Sequence, residues 1–139
     1  MKVFLYYIGK PRDPHANRMA EDFVQRASRF APTLMREIRV ERADLHARHP
    51  NAGHFYLDPA GKALDSAAFA RLFENAEMSG RDLVFLVGGA DGLPPALRNS
   101  SATLLSLSPM TFPHELARAM LAEQIYRAFA TLRNHPYPR

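Results

Sequence analysis

The residues best suited to chemistry lie in the second half of the sequence. Val87-Gly88-Gly89-Ala90-Asp91-Gly92-Leu93-Pro94 follows an apolar run. Glycine lets backbone groups approach a ligand closely, and the carboxyl end of a buried strand is where α/β sheets bind one. The spacing matches neither the dinucleotide fingerprint nor a P-loop, because no Gly-Lys-Ser/Thr follows, and a nucleoside triphosphate is disfavoured. A plain tight turn is the competing reading. Ser106 to His114 forms a polar, proline-stiffened loop running into a helix with Pro113 in its first turn. It presents backbone groups in a fixed shape, or it only starts the helix. His114 is a base, a phosphate contact or a helix-start residue.

Glu123 and Arg127 stand four apart on one helical face, as in a surface ion pair, and Arg118, Tyr126 and Arg133 are candidates to line that face with them. The ending Asn134-His135-Pro136-Tyr137-Pro138-Arg139 cannot be helical and carries an imidazole, an aromatic ring and a guanidinium, groups that stack on bases and bind phosphate. A frayed terminus is the alternative. His46, His49 and His54 have neither nearby ordered carboxylates nor a helical His-x-x-x-His row, so they read as loop residues and no metal is expected.

Alternating strands and helices must position these groups. Lys2 to Ile8 is an apolar run ended by Gly9 and Pro11, hence a strand. A helix follows from about His15 to Phe30, with Met19, Phe23, Ala27 and Phe30 at core spacing. Leu34 to Glu41 reads as a second strand, Arg42 to Gly53 as an exposed connection, and His54 to Asp58 as a brief strand entering the turn Pro59-Ala60-Gly61. Asp65 to Met78 is a helix ended by Gly80. Leu83 to Val87, five consecutive apolar residues, has the pattern of a strand covered on both faces in a parallel sheet. Leu104, Leu105 and Leu107 suggest another strand. Pro113 to Leu132 is a long helix with Ala117, Met120, Leu121, Ile125, Ala128, Phe129 and Leu132 toward the core. The class is α/β, in one domain over 1–139.

Composition sets outer limits. With 139 residues, 47% hydrophobic and 23% charged, the chain suits one globular core, which stays marginal unless a partner covers more of it. No apolar stretch approaches a membrane span, and the start lacks the order of a secretory signal, so a cytoplasmic protein is expected. Having no cysteine excludes disulfides, a thiolate nucleophile and cysteine-bound zinc. A net charge of +4 and a pI near 9.8, carried mainly by arginine, favour a polyanionic partner.

Phe85 to Leu93, Ser106 to His114, Glu123 to Arg127 and Asn134-His135-Pro136-Tyr137 resemble, in order and spacing, the ribosomal RNA large subunit methyltransferase H family of the SPOUT class. Leu57-Asp58-Pro59-Ala60-Gly61-Lys62 resembles that family's Leu-Asp-x-x-Gly-Lys turn. The resemblance implies a SPOUT-type α/β knot, with a parallel-rich central sheet flanked by helices and a C-terminal trefoil knot. It also implies S-adenosyl-L-methionine as cofactor, a homodimer sharing its active site, and methylation of N3 of a pseudouridine in 23S rRNA of the assembled ribosome.

Carried over by residue, Leu57, Gly88, Gly89, Leu107, Ser108, Pro109, Met110, Thr111, Phe112 and Pro113 would form the cofactor site, with Gly92 shaping the cleft. His114, Glu123, Arg127, His135, Tyr137 and Arg139 would face the RNA or the reacting base. His114 or Glu123 would accept the N3 proton, and Arg127 or Arg139 would stabilise the resulting anion. Two departures accompany the likeness: the stretch between Ile38 and His54 is shorter than in the family, which puts a helix there in question, and Pro138 replaces an expected polar residue. A binding module without transfer activity, or a SPOUT enzyme acting on tRNA, are the alternatives.

Overall fold

The computed structural model describes residues 1–137. In chain order it comprises β1 (Val3–Ile8), α1 (Pro14–Ala27), β2 (Thr33–Ile38), a 3-10 turn (Val40–Arg42), α2 (Leu45–Arg48), β3 (Gly53–Ala63), α3 (Ser66–Ser79), β4 (Leu83–Val87), α4 (Pro95–Arg98), β5 (Thr103–Ser106) and α5 (His114–Leu132). The five strands form one sheet in the order β2-β1-β4-β3-β5, and every pairing is parallel. All carboxyl ends therefore share one edge of the sheet, the edge that carries the glycine loop.

Each element has a local cause. Pro14 opens α1, and the Asp13 carboxylate accepts from the amides of His15 and Ala16 at 2.9 and 3.2 Å. Asp65 caps α3 through Ala68 N, and Gly80 closes it. All five residues of β4 are buried, as expected for a strand covered on both faces. One face of the sheet packs against α1, α3 and α5 through Leu5, Phe69, Phe73, Phe85, Ile125 and Phe129, and the other carries Tyr6, Leu45, Tyr56, Val84, Leu86 and Leu93.

Five expectations need correction. On α1 the buried residues are Ala16, Ala20 and Ala27, whereas Met19 is 50% exposed; small side chains let α1 lie close to α5, and Met19 sits off that seam. On α5, Met120 is also off the core, while Arg118, a candidate to line the face of Glu123 and Arg127, is only 1% exposed and lies over the Tyr7 ring. The region 42–53 is not an exposed connection: Ala43, Leu45 and Ala52 are buried and α2 forms within it, capped by Asp44. Finally, β3 continues past the turn, its register on β5 shifting between Leu57 and Lys62 so that Asp58–Gly61 loops out.

The three histidines belong to that packed region. His54 Nε2 donates to the His49 carbonyl at 2.9 Å, His49 Nε2 meets the Tyr6 hydroxyl at 2.8 Å, and the His46 ring stacks on His54 at 3.9 Å. His54 Nδ1 is buried without a hydrogen-bond partner among the described residues. Burial lowers the pKa of both His49 and His54; Arg48 adds to it at His49, and His46 at His54 against the opposing hydrogen bond to the His49 carbonyl. A base with a folded pKa below its unfolded value, about 6.5, stabilises the fold fully above that pH and loses the contribution as pH falls toward the folded pKa. Thermal melting should therefore weaken below about pH 6.5, and His54→Gln should flatten that dependence. A wild-type melting curve unchanged from pH 7.5 to 5 would contradict the assignment.

Candidate active site

The site starts where β4 runs out of side chains. A Cβ on Gly88 would lie 2.5 Å from the carbonyl carbon of Gly92 and 2.8 Å from Leu93 N, so the loop closes on itself only because position 88 is glycine. Gly89 and Gly92 form a bridge, with Gly92 N donating to Gly89 O at 2.9 Å, and Gly92 takes φ 77°, a left-handed conformation. Leu93, 4% exposed, anchors the end of the turn.

Two further segments complete a cleft of about 560 Å³, of the size that holds a small-molecule ligand. One is the looped-out part of β3, where buried Asp58 accepts from Ala60 N at 2.8 Å and pairs with Arg98 of α4 at 2.9 Å. The other is the loop after β5: Ser106 Oγ donates to the Ser108 carbonyl at 2.9 Å, and Ser108 Oγ accepts from Met110 N at 3.0 Å. Leu57, Gly88, Gly89, Leu107, Ser108, Met110, Thr111, Phe112, Pro113 and His114 all line this cleft; Pro109 does not. Its walls pair apolar side chains (Leu57, Val87, Leu107, Phe112) with glycine and loop backbone, which suits a flat adenine beside a polar amino-acid portion. Asp58 and Arg98 were not singled out from the sequence, although the Leu-Asp-x-x-Gly-Lys turn contains the first; their ion pair ties two lips of the cleft together.

The remaining candidates gather elsewhere. Glu123 Oε2 accepts from Arg127 NH2 at 2.7 Å and from the Tyr137 hydroxyl at 2.5 Å, while Arg127 Nε bridges both carboxylate oxygens at 3.1 and 3.2 Å. The tail reaches this pair because Asn134 adopts φ 54°, a conformation that asparagine tolerates, and reverses the chain after α5. Tyr137 then lies against Tyr126 (4.7 Å between ring centroids) and under the Arg127 guanidinium (5.6 Å). His135 packs edge-on to Phe30. The tail is thus folded onto α1 and α5 through residue 137. Arg139 lies outside the described residues. Burial, followed by the hydrogen bond to Glu123, pushes the Tyr137 hydroxyl up to about 12, so it stays a donor at neutral pH. The same carboxylate raises Arg127, which remains a cation.

Glu123 lines a second, larger cleft of about 640 Å³ among Met19, Phe23, Leu64, Phe69 and Met120. The larger volume is the less suited to a cofactor, because the glycine loop takes no part in it. Leu57 and Leu107 line both clefts and form the partition between them. His114 and Glu123 are nine residues apart on α5, about 13 Å along its axis, so one protomer does not bring all candidates together.

The start of α5 is held by Glu115, which no sequence motif marks, and by Arg118. Glu115 accepts from Arg12 N at 2.5 Å, Asp13 N at 2.8 Å and Asn17 Nδ2 at 3.4 Å. Burial alone would raise its carboxyl, but these donors and Arg118 hold it below the usual range. Arg118 lies 3.8 Å from the Tyr7 ring centre, with Nε and NH2 lacking hydrogen-bond partners among the described residues. Nothing in their sequence spacing pointed to these partners, since the contacts span about a hundred residues.

Comparison with known proteins places this geometry. A family model described as "Predicted SPOUT methyltransferase" matches residues 1–138. The chain is 68% identical over 139 residues, end to end, to the ribosomal RNA large subunit methyltransferase H of Solibacter usitatus. It is 39% identical to that of Gemmatimonas aurantiaca over 152 aligned positions, covering 99% of each chain, and 37% identical to that of Rhizobium meliloti over 159, covering 100% of this chain and 99% of the relative. Those longer alignments mean that the two relatives carry residues this chain lacks. Among solved structures, a probable methylase family protein from Haemophilus influenzae superposes with a TM-score of 0.58 at 9% identity, over 99% of this chain and 70% of the other, a likeness of fold. The parallel α/β sheet flanked by helices is consistent with the knotted SPOUT fold. Fold, matched family model and full-length relatives agree: this chain belongs to the ribosomal RNA large subunit methyltransferase H family of SPOUT methyltransferases, whose cofactor is S-adenosylmethionine.

Proposed function

We propose that the chain methylates N3 of a pseudouridine in 23S rRNA of the assembled ribosome, acting as a single domain in the cytoplasm and as a homodimer with shared active sites. The observation that carries this reading is the convergence of the glycine loop, Leu57 and the loop 107–113 on one cleft, in a chain 68% identical to a named large-subunit rRNA methyltransferase. Among the described residues, no helix is long and apolar enough to cross a membrane.

S-adenosylmethionine supplies an activated methyl group when bound. Leu57, Gly88, Gly89 and the loop residues Leu107, Ser108, Met110, Thr111, Phe112 and Pro113 hold it, largely through backbone groups, with Pro109 stiffening the loop. His114, at the edge of the cleft, accepts the N3 proton of the target base. The Arg127 cation, aligned by Glu123 and Tyr137, stabilises the anion left on the base, while His135 and Arg139 contact the RNA. Glu123 already accepts from Arg127 and Tyr137, which makes it the organiser of that group and leaves the proton to His114.

A second copy supplies what one protomer separates. Met19, Leu116 and Met120, 50%, 40% and 36% exposed, leave an apolar surface on α1 and α5 beside the Glu123 group, suited to a partner. Co-expression of Gly88→Ala with Arg127→Ala tests the arrangement. At a cofactor concentration that saturates wild type but lies well below the Gly88→Ala dissociation constant, each homodimer should be nearly inactive, whereas mixed dimers regain one intact site, giving about a quarter of wild-type methyl transfer to ribosomes from a random mixture. No recovery from purified mixed dimers would contradict a site shared between protomers.

A further inference from the structure

We infer that Arg39, Arg42 and Arg48 form a second anchoring site for the RNA strand, a phosphate-binding hollow at the end of β2. The inference rests on the function proposed above and adds a surface to it. The three guanidinium-bearing residues converge on one open hollow of about 440 Å³, lined otherwise by Glu37 and Ile38. Local structure brings them together: Arg39 leads into the 3-10 turn, Arg42 ends it, and Arg48 lies in the last turn of α2.

Charge in the hollow is not neutralised within the chain. All three residues are exposed. Arg48 NH2 donates only to the Arg42 carbonyl, at 3.5 Å, with its guanidinium 5.9 Å from the Tyr6 ring. The side chains of Arg39 and Arg42 make no hydrogen bond or ion pair among the described residues, and none of the three pairs with Glu37. Arg48 also borders a neighbouring hollow that reaches Arg81 and Asp82, and there the pattern differs: Arg81 donates to the carbonyls of Asn51 and Ala52, while Arg133, further on, is paired with Glu77. Like charges gathered in one place repel, and a bound polyanion relieves that repulsion while releasing counterions. Guanidinium groups suit phosphate because they donate two parallel hydrogen bonds.

Position relative to the reaction favours RNA over a separate small anion. Because all strands are parallel, the hollow lies on the same edge of the sheet as the glycine loop, with β1 between β2 and β4. The two features are about two strand spacings apart, roughly 10 Å. Exposed Lys10 and Arg12 lie in the loop that leaves β1, the strand between β2 and β4, and Glu115 fixes that loop through the Arg12 and Asp13 amides. A strand whose target base enters the cleft would run its backbone over Lys10 and Arg12 into the hollow.

The test is binding of a short single-stranded RNA oligonucleotide by the full chain over a range of salt concentrations, comparing wild type with Arg39→Gln/Arg42→Gln/Arg48→Gln. The triple variant should bind at least about 10-fold more weakly at 0.1 M salt, with a log K against log salt slope shallower by about 2. Its affinity for S-adenosylmethionine and its melting temperature should be unchanged. Should Arg48 prove necessary for α2, the double variant at 39 and 42 should still reduce the slope by about 1, while Glu37→Gln should strengthen binding. In methyl transfer the variants should raise KM for ribosomes and leave kcat alone. An unchanged slope in a folded variant overturns the inference. So does unchanged binding of protein-free RNA with weakened binding of ribosomes, which would put an acidic protein on the hollow. The oligonucleotide assay requires no catalysis, so a wild-type chain that methylates no ribosome would refute the proposed function without deciding the hollow.

Discussion

Gly88→Ala should weaken S-adenosylmethionine binding by about 10- to 100-fold while leaving the chain folded. A Cβ there would lie 2.5 Å from the carbonyl carbon and 2.6 Å from the oxygen of Gly92, both rigid backbone atoms. The turn must open to admit it, breaking the bridge between Gly89 and Gly92 and displacing backbone that lines the cleft. Strain of this kind costs about 1–3 kcal/mol, and every 1.4 kcal/mol is tenfold in affinity. The core behind the loop, Leu83 to Val87, is packed on both faces and should survive the change. Calorimetric titration with the cofactor measures the effect, with thermal melting as the check on folding. Binding unchanged in the variant would mean that the loop is only a turn between a strand and a helix.

Arg127→Ala should act on the other half of the chemistry. Kcat should fall by about 10²- to 10³-fold, as when a preorganised donor to a developing anion is removed, with cofactor affinity unaltered. Arg127 is held at both Nε and NH2 by Glu123, which is held in turn by Tyr137. Lysine cannot reproduce that fork, so Arg127→Lys should recover little of the rate. Because the Tyr137 hydroxyl is pushed up to about 12, no loss of activity from its ionisation should be seen between pH 7 and 10. Single-turnover transfer to ribosomes separates the chemical step from binding. A wild-type single-turnover rate in Arg127→Ala would make the ion pair a structural tie on the helix surface.

The parts of the fold that sequence made legible are those with a local cause. The apolar run at 83–87 marked a buried parallel strand, and Gly80 marked the end of α3, because each follows from side chains a few residues apart. The packing of Arg42 to Gly53 has no such signal, since its anchors, Ala43, Leu45 and Ala52, are small or isolated apolar residues without a period, and their burial depends on Tyr6 and Val84 far along the chain. The burial of Arg118 is illegible for the same reason: it depends on the stack on Tyr7 and on the position of Glu115, and arginine is otherwise rarely buried.

The candidate site divides along similar lines. Glycine spacing and the proline-stiffened loop identified which segments could approach a ligand, and both line one cleft. That Leu57, in a different element, joins them came from the family resemblance, as did the cofactor itself. The tail's reversal at Asn134, which sets Tyr137 on Glu123, has no periodic signal, because it depends on one residue taking a left-handed conformation. The Asp58 to Arg98 tie across the cleft links residues forty positions apart and was equally invisible.

Transfer of a labelled methyl group from S-adenosylmethionine to ribosomes lacking the modification tests the central claim most directly, with separated subunits and bulk tRNA run alongside. Label should be confined to N3 of one pseudouridine in the 23S rRNA of assembled ribosomes. Label on tRNA in its place, or none on any RNA while the cofactor still binds, would contradict it.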